Sequence, residues 1–287
     1  MSDIVITTDS VAQIPAEIAQ KHQIGVIPFS IIIEGESFKD GLEILPETLY
    51  QRMRREGILP KTSQPSLGEY LEFFRQILEN GASSIIYLTL SSVLSGAFST
   101  ASKAAHLIKE EFPGRTVEIV DTKTATIAQG FLAVEAAEAV KGGAGLSELL
   151  SLLGEIRRKV GFFAMLETLY YLERGGRIGK AAYLAGSLVN IKPLITIDEE
   201  GKVSPMGNLR GIKNTSAKLI EHLAGLLSGQ TLERLSVMHA GNQEKVEELI
   251  QLARERFSID DVLVTEFTPV MGAHAGPGVL GLAYQIK

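Results

Sequence analysis

Hydroxyl side chains stand where the predicted elements of this sequence end, and they are well placed to bind a ligand. Thr62-Ser63-Gln64-Pro65-Ser66 precedes a capped helix, and Ser91-Ser92-Val93-Leu94-Ser95-Gly96 joins a strand to a helix. A strand-to-helix turn directs backbone N–H groups and hydroxyls at the carboxyl edge of a parallel sheet, where anionic ligands bind. Serine and threonine are also the usual residues of caps and turns. The pattern therefore predicts either an anion site or ordinary capping.

A single histidine lies in a segment of small residues near the end of the chain. The segment is Gly272-Ala273-His274-Ala275-Gly276-Pro277-Gly278, which we interpret as a rigid loop. Glycine lets a backbone approach a ligand closely, and proline restricts the turn. His274 is therefore either held at a ligand or is a turn residue before a strand.

A serine hydrolase or esterase is the enzymatic alternative. It would use Ser95 or Ser92 as the nucleophile and His274 as the base. Around Ser95, however, Val93 and Ala97 occupy the glycine positions of the Gly-x-Ser-x-Gly elbow. The five histidines have no HExxH spacing and the chain has no cysteine, so we expect no metal site.

Two glycine-rich segments resemble nucleotide-binding loops but lack the necessary context. Gly276-Pro277-Gly278-Val279-Leu280-Gly281 satisfies GxGxxG, yet the few residues after it are typical of a strand rather than a helix. Gly175-Gly176-Arg177-Ile178-Gly179-Lys180-Ala181 is one residue too short between its glycines for a P-loop, and Ala181 lacks the hydroxyl that binds magnesium. Neither segment predicts a nucleotide site.

Composition narrows the class of protein. The 287 residues include 28 Lys and Arg against 34 Asp and Glu, for a net charge of −6, so no basic surplus suits nucleic acid. A length prior of roughly 150 residues per domain favours two domains. The start of the chain does not resemble a signal peptide, and runs such as Ala181 to Val189 are too short to span a bilayer. We expect a cytoplasmic protein.

The first half of the chain alternates strands and helices. Strands are predicted at Ile4–Thr7, Val26–Ile33, Ser84–Leu90 and Thr116–Val120, and helices at Ser66–Asn80, from Pro46 towards Gly57, and at Phe98–Phe112. Ser66 and Glu69 form a capping box at the start of one of these helices. Such alternation predicts an α/β domain whose parallel sheet has helices on both faces.

The second half predicts a smaller α+β domain. Leu194–Ile197 and Val203–Met206 flank a charged turn and predict a hairpin. The other predicted elements are helices at Leu146–Arg158, Asn214–Leu227 and Glu244–Phe257 and strands at Gly161–Leu166, Leu235–His239, Val262–Phe267 and Val279–Ile286. We place the domain boundary near residue 158, giving domains 1–158 and 159–287.

Several short motifs occur in the order found in a known bacterial family. They are Asp9-Ser10 with Ile14-Pro15, Thr62-Ser63-Gln64-Pro65-Ser66, Leu90-Ser91-Ser92-Val93-Leu94-Ser95-Gly96, Gly175-Gly176-Arg177-Ile178, Lys192-Pro193-Leu194 and His274-Ala275-Gly276-Pro277-Gly278. On these motifs the whole chain resembles the DegV family, fatty-acid-binding proteins that serve as the acyl-carrying subunit of a fatty acid kinase.

The resemblance implies a carrier rather than an enzyme, with no cofactor of its own. A long-chain fatty acid such as palmitate, stearate or oleate would lie in a buried tunnel that the second domain closes. Its carboxylate would be held by Thr62, by Ser91 or Ser92, and by His274, with Ser95 in the same turn.

The resemblance also implies a partner. A separate ATP-dependent fatty acid kinase would phosphorylate the bound carboxylate, and the acyl phosphate would enter phospholipid synthesis. Arg210 resembles the family's kinase-facing arginine, and the basic turn with Arg174 and Arg177 is a further candidate for partner contact. The resemblance leaves room for a transient contact with a membrane surface.

The chemistry of a fatty acid agrees with such a site. A palmitate tail of about fourteen methylenes gains roughly 11 kcal/mol on burial before ordering costs, so the tail supplies the affinity. Neutral hydroxyls, N–H groups and an imidazole can compensate the carboxylate for its lost hydration. Phe29, Ile31, Phe163, Met165 and Leu166 are candidates for the tunnel wall, although each is more typical of a plain core residue.

Overall fold

The computed structural model describes residues 3–184, 191–210 and 214–287, and for Ile191 and Arg210 it describes the backbone alone. The helices are α1 Ala16–His22, α2 Pro46–Arg55, α3 Leu67–Glu79, α4 Ala97–Glu111, α5 Thr126–Lys141, α6 Leu146–Ile156, α7 Tyr170–Arg174, α8 Thr215–Leu227, α9 Gln243–Phe257 and α10 Pro269–Ala275. The strands are β1 Ile4–Asp9, β2 Gly25–Ile27, β3 Ser30–Ile33, β4 Glu36–Lys39, β5 Lys61–Ser63, β6 Ser84–Thr89, β7 Thr116–Asp121, β8 Val160–Met165, β9 Ile191–Ile197, β10 Val203–Arg210, β11 Leu232–His239, β12 Val262–Glu266 and β13 Leu280–Ile286. The side chain of Arg210, predicted to face a partner, lies outside the described residues.

The predicted parallel sheet is confirmed, in the order β2-β1-β6-β7 with helices on both faces. Side chains alternate across it, so Ile85 and Tyr87 pack towards α3 and α4 while Ile86 and Leu88 pack towards α5. The capping box at the start of α3 is confirmed as well. Helices on both faces are what continuous apolar strands such as β6 require.

The second sheet has six strands in the order β10-β9-β8-β13-β11-β12 and is mostly antiparallel. The predicted hairpin is confirmed, because β9 and β10 pair antiparallel with Ile197 opposite Val203. Helices α8 and α9 cover one face of this sheet, and α5 lies against the other. In chain order, the first strand of this sheet begins at Val160, whereas the last strand of the parallel sheet ends at Asp121. The division into domains at residue 158 stays a prediction.

Helix α5, which the apolar periodicity did not predict, lies between the two sheets. It packs against β1 on one side and against β8 and β13 on the other. Gly130 approaches another backbone so closely that a Cβ there would lie 2.7 Å from the carbonyl oxygen of Ala12. Because nearly every residue of α5 up to Ala137 is buried, the helix has no continuous polar face, and its sequence carries no amphipathic stripe.

The prediction of one strand at Val26–Ile33 is wrong, because the chain breaks at Pro28. Proline has no N–H to donate to a strand ladder, and the following amide of Phe29 donates instead to Ser10 Oγ at 3.1 Å. After the break, β3 joins β4 and β5 in a separate antiparallel sheet of three strands. This small sheet carries Thr62. In the described parts of the chain, no helix has both the length and the apolar character that crossing a membrane requires.

Candidate functional site

A cavity of about 300 Å³ lies where the three sheets meet. It is bounded by the carboxyl ends of the parallel sheet, by β5, by β8 and β9, and by α10. Most of its wall is apolar. Polar side chains also line it, and we call five of them the polar end: Thr62, Gln64, Ser95, Arg177 and His274. Thr62 is hydrogen-bonded to His274 and Ser95 to Gln64, while Arg177 donates to the Leu94 carbonyl. An apolar pocket with a few convergent polar groups is typical of a small-molecule site.

Thr62 and His274 meet at the polar end although they are far apart in the sequence. The Thr62 hydroxyl lies 2.8 Å from His274 Nε2, joining β5 to α10. Burial, with a further contribution from the Arg177 guanidinium, lowers the pKa of His274 to about 4. The imidazole is therefore neutral near pH 7, and Nε2 either donates to the threonine hydroxyl or accepts from it.

His274 lies at the end of a helix, so the prediction of a rigid loop there is wrong. Pro269 suits the first turn of α10, and Asp40 Oδ1 accepts a hydrogen bond from the Val270 amide at 2.9 Å. The helix ends at Gly276, whose φ of +82° favours glycine. Gly175 lies so close to His274 Nδ1 that a side chain at this glycine would overlap the ring. The packing of α10 therefore holds the imidazole in place.

Gln64 is a polar-end residue that sequence reasoning missed. Ser95 Oγ donates to Gln64 Oε1 at 3.0 Å, and Gln64 Nε2 donates to Thr100 Oγ1 at 2.7 Å. Ser95 Oγ also accepts from the amide of Ala97, the first residue of α4, at 3.2 Å, so this serine lines the cavity and contacts the start of the helix. The signal for it in the sequence is that Gln64 lies inside the 62–66 motif, between Thr62 and the capping serine Ser66.

Ser91 and Ser92 lie outside the cavity wall. The fully buried Ser91 donates to the carbonyl oxygen of Gly201 at 2.8 Å. The exposed Ser92 donates to Asp121 Oδ2 at 2.6 Å. Of the three serines in this turn, the structure brings Ser95 alone to Thr62 and His274.

The structure brings Arg177 to the polar end and leaves Arg174 outside it. Arg177 Nε donates to the Leu94 carbonyl at 3.1 Å, and its Nη1 donates to the Gly175 carbonyl at 2.7 Å. Arg174 instead lies over the ring of Tyr170, 5.5 Å from its centroid. Both arginines are exposed, and their contact with a partner stays a prediction.

The apolar wall follows the alternation of strand β8. Phe162, Ala164 and Leu166 line the cavity, whereas Phe163 and Met165 point to the core beneath α8 and α9. Phe163 and Met165 are therefore core residues, which is the interpretation that the sequence favoured for them. Of the other suggested wall residues, Phe29 lines the cavity and Ile31 is buried in the core beside it. A shift of one residue along a strand moves a side chain to the opposite face.

Asp9 supports two parts of the cavity wall, the backbone at Val11 and at Leu90, without lining the cavity itself. Its carboxylate is fully buried at the end of β1 and accepts hydrogen bonds from the amides of Val11 at 3.0 Å and Leu90 at 3.1 Å. Gln129 of α5 donates to it at 3.2 Å. Burial raises the pKa of Asp9 to about 7, against the opposing effect of these donors. Val11 and Leu90 both line the cavity.

The polar end does not pair a serine with the histidine. Ser95 donates to Gln64, and His274 is engaged by Thr62, so the nucleophile–base hydrogen bond that a hydrolase requires is not formed. A histidine with a pKa near 4 is also a poor general base at neutral pH. The described residues hold no cluster of three or more His, Asp or Glu side chains arranged for a metal ion.

Comparison with known proteins identifies the family. A family model described as "Uncharacterised protein, DegV family" matches residues 3–287. The chain belongs to the DegV family. A DegV domain-containing protein of Listeria innocua is 31% identical over 284 residues, which cover 99% of each chain.

Solved DegV-family structures share the whole fold. A protein from Thermus thermophilus, described by its fatty acid binding, superposes with a TM-score of 0.90 at 32% identity over 99% of both chains. A stearic acid-binding protein from Eubacterium ventriosum superposes with a TM-score of 0.89 at 26% identity over 98% of both chains. The predicted α/β architecture is thus that of the DegV family.

Proposed function

We propose that this DegV-family protein binds a long-chain fatty acid, with the tail in the apolar cavity and the carboxylate at the polar end. The observation that carries the proposal is the Thr62–His274 pair, which places neutral hydrogen-bonding groups against an otherwise apolar wall. Fatty acid binding by relatives with the same fold supports it. Each buried methylene contributes roughly 0.8 kcal/mol, so the tail dominates the affinity.

The polar end matches the needs of a carboxylate. The hydroxyls of Thr62 and Ser95 can rotate towards a carboxylate oxygen, and the neutral imidazole of His274 can donate one N–H. Arg177 adds the nearby positive charge, and because it is exposed and already bonded to two carbonyls, it neutralises the ligand only in part. A desolvated carboxylate requires such donors.

We further propose that the bound carboxylate is presented to a partner kinase. An open groove of about 510 Å³ shares Leu94, Ser95 and Arg177 with the cavity, so the polar end borders the surface there. Lys202 lies on the same groove and suits an approaching phosphate. In this proposal an ATP-dependent fatty acid kinase supplies the nucleotide chemistry, in the cytoplasm, and the acyl phosphate enters phospholipid synthesis.

The test is native mass spectrometry of the purified protein, with analysis of its organic extract. We expect one fatty acid per chain, and tighter binding of palmitate than of its methyl ester, because the ester lacks the charge that the polar end compensates. The bare mass together with no uptake of added palmitate or oleate would refute the proposal.

A pair of matched variants locates the carboxylate. Thr62→Val removes a hydroxyl at nearly constant shape and should weaken palmitate binding about tenfold, the effect of one buried hydrogen bond. Thr196→Val is the control, because this wall hydroxyl already donates to the Phe162 carbonyl at 2.6 Å. Equal losses of affinity in both variants would place the carboxylate elsewhere.

A further inference from the structure

Ser91 forms hydrogen bonds to two turns, one in each half of the fold, where each half contains one of the two large sheets. Its amide donates to the Thr124 carbonyl at 2.8 Å, within the parallel-sheet half of the fold. Its hydroxyl donates to the carbonyl oxygen of Gly201 at 2.8 Å, at the tip of the β9–β10 hairpin. The same hydroxyl accepts from the Val93 amide at 3.3 Å. All of these groups lie at a residue with no exposed surface.

The turn that contains Ser91 and the β9–β10 hairpin both contribute residues to the cavity wall. On the Ser91 side, Leu94 and Ser95 line the cavity, and the Leu94 amide donates to the Ser91 carbonyl at 3.0 Å. On the hairpin side, Ile197 and Val203 flank the turn, and both line the cavity. One buried hydrogen bond thus joins two neighbouring parts of the wall that come from different sheets.

The hairpin tip is rigid enough to transmit this contact. Asp198 Oδ1 accepts hydrogen bonds from the amides of Glu200 and Lys202, each at 3.0 Å. The Gly201 amide donates to the Asp198 carbonyl at 2.9 Å. Gly201 is buried with a φ of +82°, and a side chain there would overlap Ser91 Oγ. The turn is therefore braced by its own hydrogen bonds, and it fits against Ser91 because residue 201 is glycine.

We propose that Ser91 is a positioning residue, and that its hydrogen bond to Gly201 is a latch that holds the hairpin wall closed over the ligand. The inference rests on the proposed function, because the latch is meant to retain a fatty acid. For Val203 to move away from Leu94 and Ser95, the tip of the hairpin must lose this bond. The latch consequently acts on the rate of ligand release.

The experiment measures palmitate transfer from the loaded protein to albumin. Ser91→Ala should release palmitate about tenfold faster, as the loss of one buried hydrogen bond predicts. Thr122→Val is the matched control, because the buried Thr122 hydroxyl also donates to a backbone carbonyl, that of Thr89, at 2.7 Å. That bond lies within one sheet, so this variant should keep the release rate of the wild type. Equal release rates for Ser91→Ala and wild type, or equal acceleration in both variants, would overturn the latch.

A second pair of variants tests the same contact from the hairpin side. Gly201→Ala places a methyl group against Ser91 and should also speed release. Gly207→Ala is its control, because Gly207 has a φ of +127° and open space around its Cα, so the backbone strain is retained without the clash. Acceleration in both glycine variants would contradict the latch.

Amide hydrogen exchange separates the latch from the proposed function. In the ligand-free protein, Ser91→Ala should raise exchange at residues 201–203 and Thr122→Val should not. If wild type takes up no palmitate while exchange responds as expected, the proposed function fails and the contact stands. If palmitate binds and exchange does not respond, the latch fails alone.

Discussion

The two parts of the cavity wall are built in opposite ways. At the polar end, the bonded pairs Thr62–His274 and Gln64–Ser95 lie 212 and 31 residues apart in the sequence. Along the apolar wall, the alternate residues Phe162 and Ala164 of β8 and the following Leu166 line the cavity. The apolar wall therefore depends on the alternation of side chains along a single strand, which is a local property of the chain. The polar end depends on the exact approach of separate backbones, and small changes of packing should disturb it more.

The largest expected effect concerns the two faces of β8. Phe163→Ala should destabilise the protein by about 3–5 kcal/mol, because its ring is fully buried in packed core. Phe162→Ala should cost less, since that ring already borders the cavity. Urea unfolding of the two variants checks this. Equal free energies of unfolding for both variants would show that the cavity face is packed as densely as the opposite face.

The pH dependence of the polar end is the next effect. A buried histidine whose pKa falls from 6.5 to about 4 on folding binds fewer protons than it does in the unfolded chain. Acid therefore favours unfolding. The resulting loss of unfolding free energy is negligible well above pH 6.5, about 2 kcal/mol at pH 5 and about 3 kcal/mol below pH 4.

Unfolding of wild type and His274→Gln between pH 7 and pH 4 isolates this contribution. The stability of wild type relative to the variant should fall by that amount as the pH is lowered. A constant difference across this range would show that the imidazole is not held neutral. Bound palmitate should reduce this pH-dependent loss of stability, because a nearby carboxylate stabilises the protonated form of His274.

A smaller effect is expected from a substitution at Gly175, which tests how closely the end of α7 packs against α10. Gly175→Ala should cost about 1–3 kcal/mol by overpacking against His274 and should weaken palmitate binding with it. Gly154→Ala is the control, because it lies in α6 with open space around it and should be neutral or slightly stabilising. Calorimetry and a palmitate titration give the two readouts. Unchanged palmitate affinity in Gly175→Ala would mean that the imidazole is not held by this contact.

Much of the fold follows from local signals in the sequence. The capping box of Ser66 and Glu69 and the β9–β10 hairpin rest on residues that interact within one element or one turn. The apolar runs of β1, β6 and β7 likewise mark three of the four strands of the parallel sheet. The failures have physical causes. Helix α5 is buried along most of its length and shows no amphipathic stripe, and Pro28 divides an apolar run that is otherwise typical of one strand.

The sequence by itself determined the alternation of the strands, the ends of most helices and the presence of hydroxyls and an imidazole at those ends. Only the tertiary structure decided which hydroxyl faces the cavity. Ser91, Ser92 and Ser95 have the same side chain in one short turn, yet they bond to Gly201, Asp121 and Gln64 respectively. Each partner comes from a different, distant segment. The direction of a hydroxyl is set by the nearest available acceptor, and which acceptor is near depends on the packing of the whole chain.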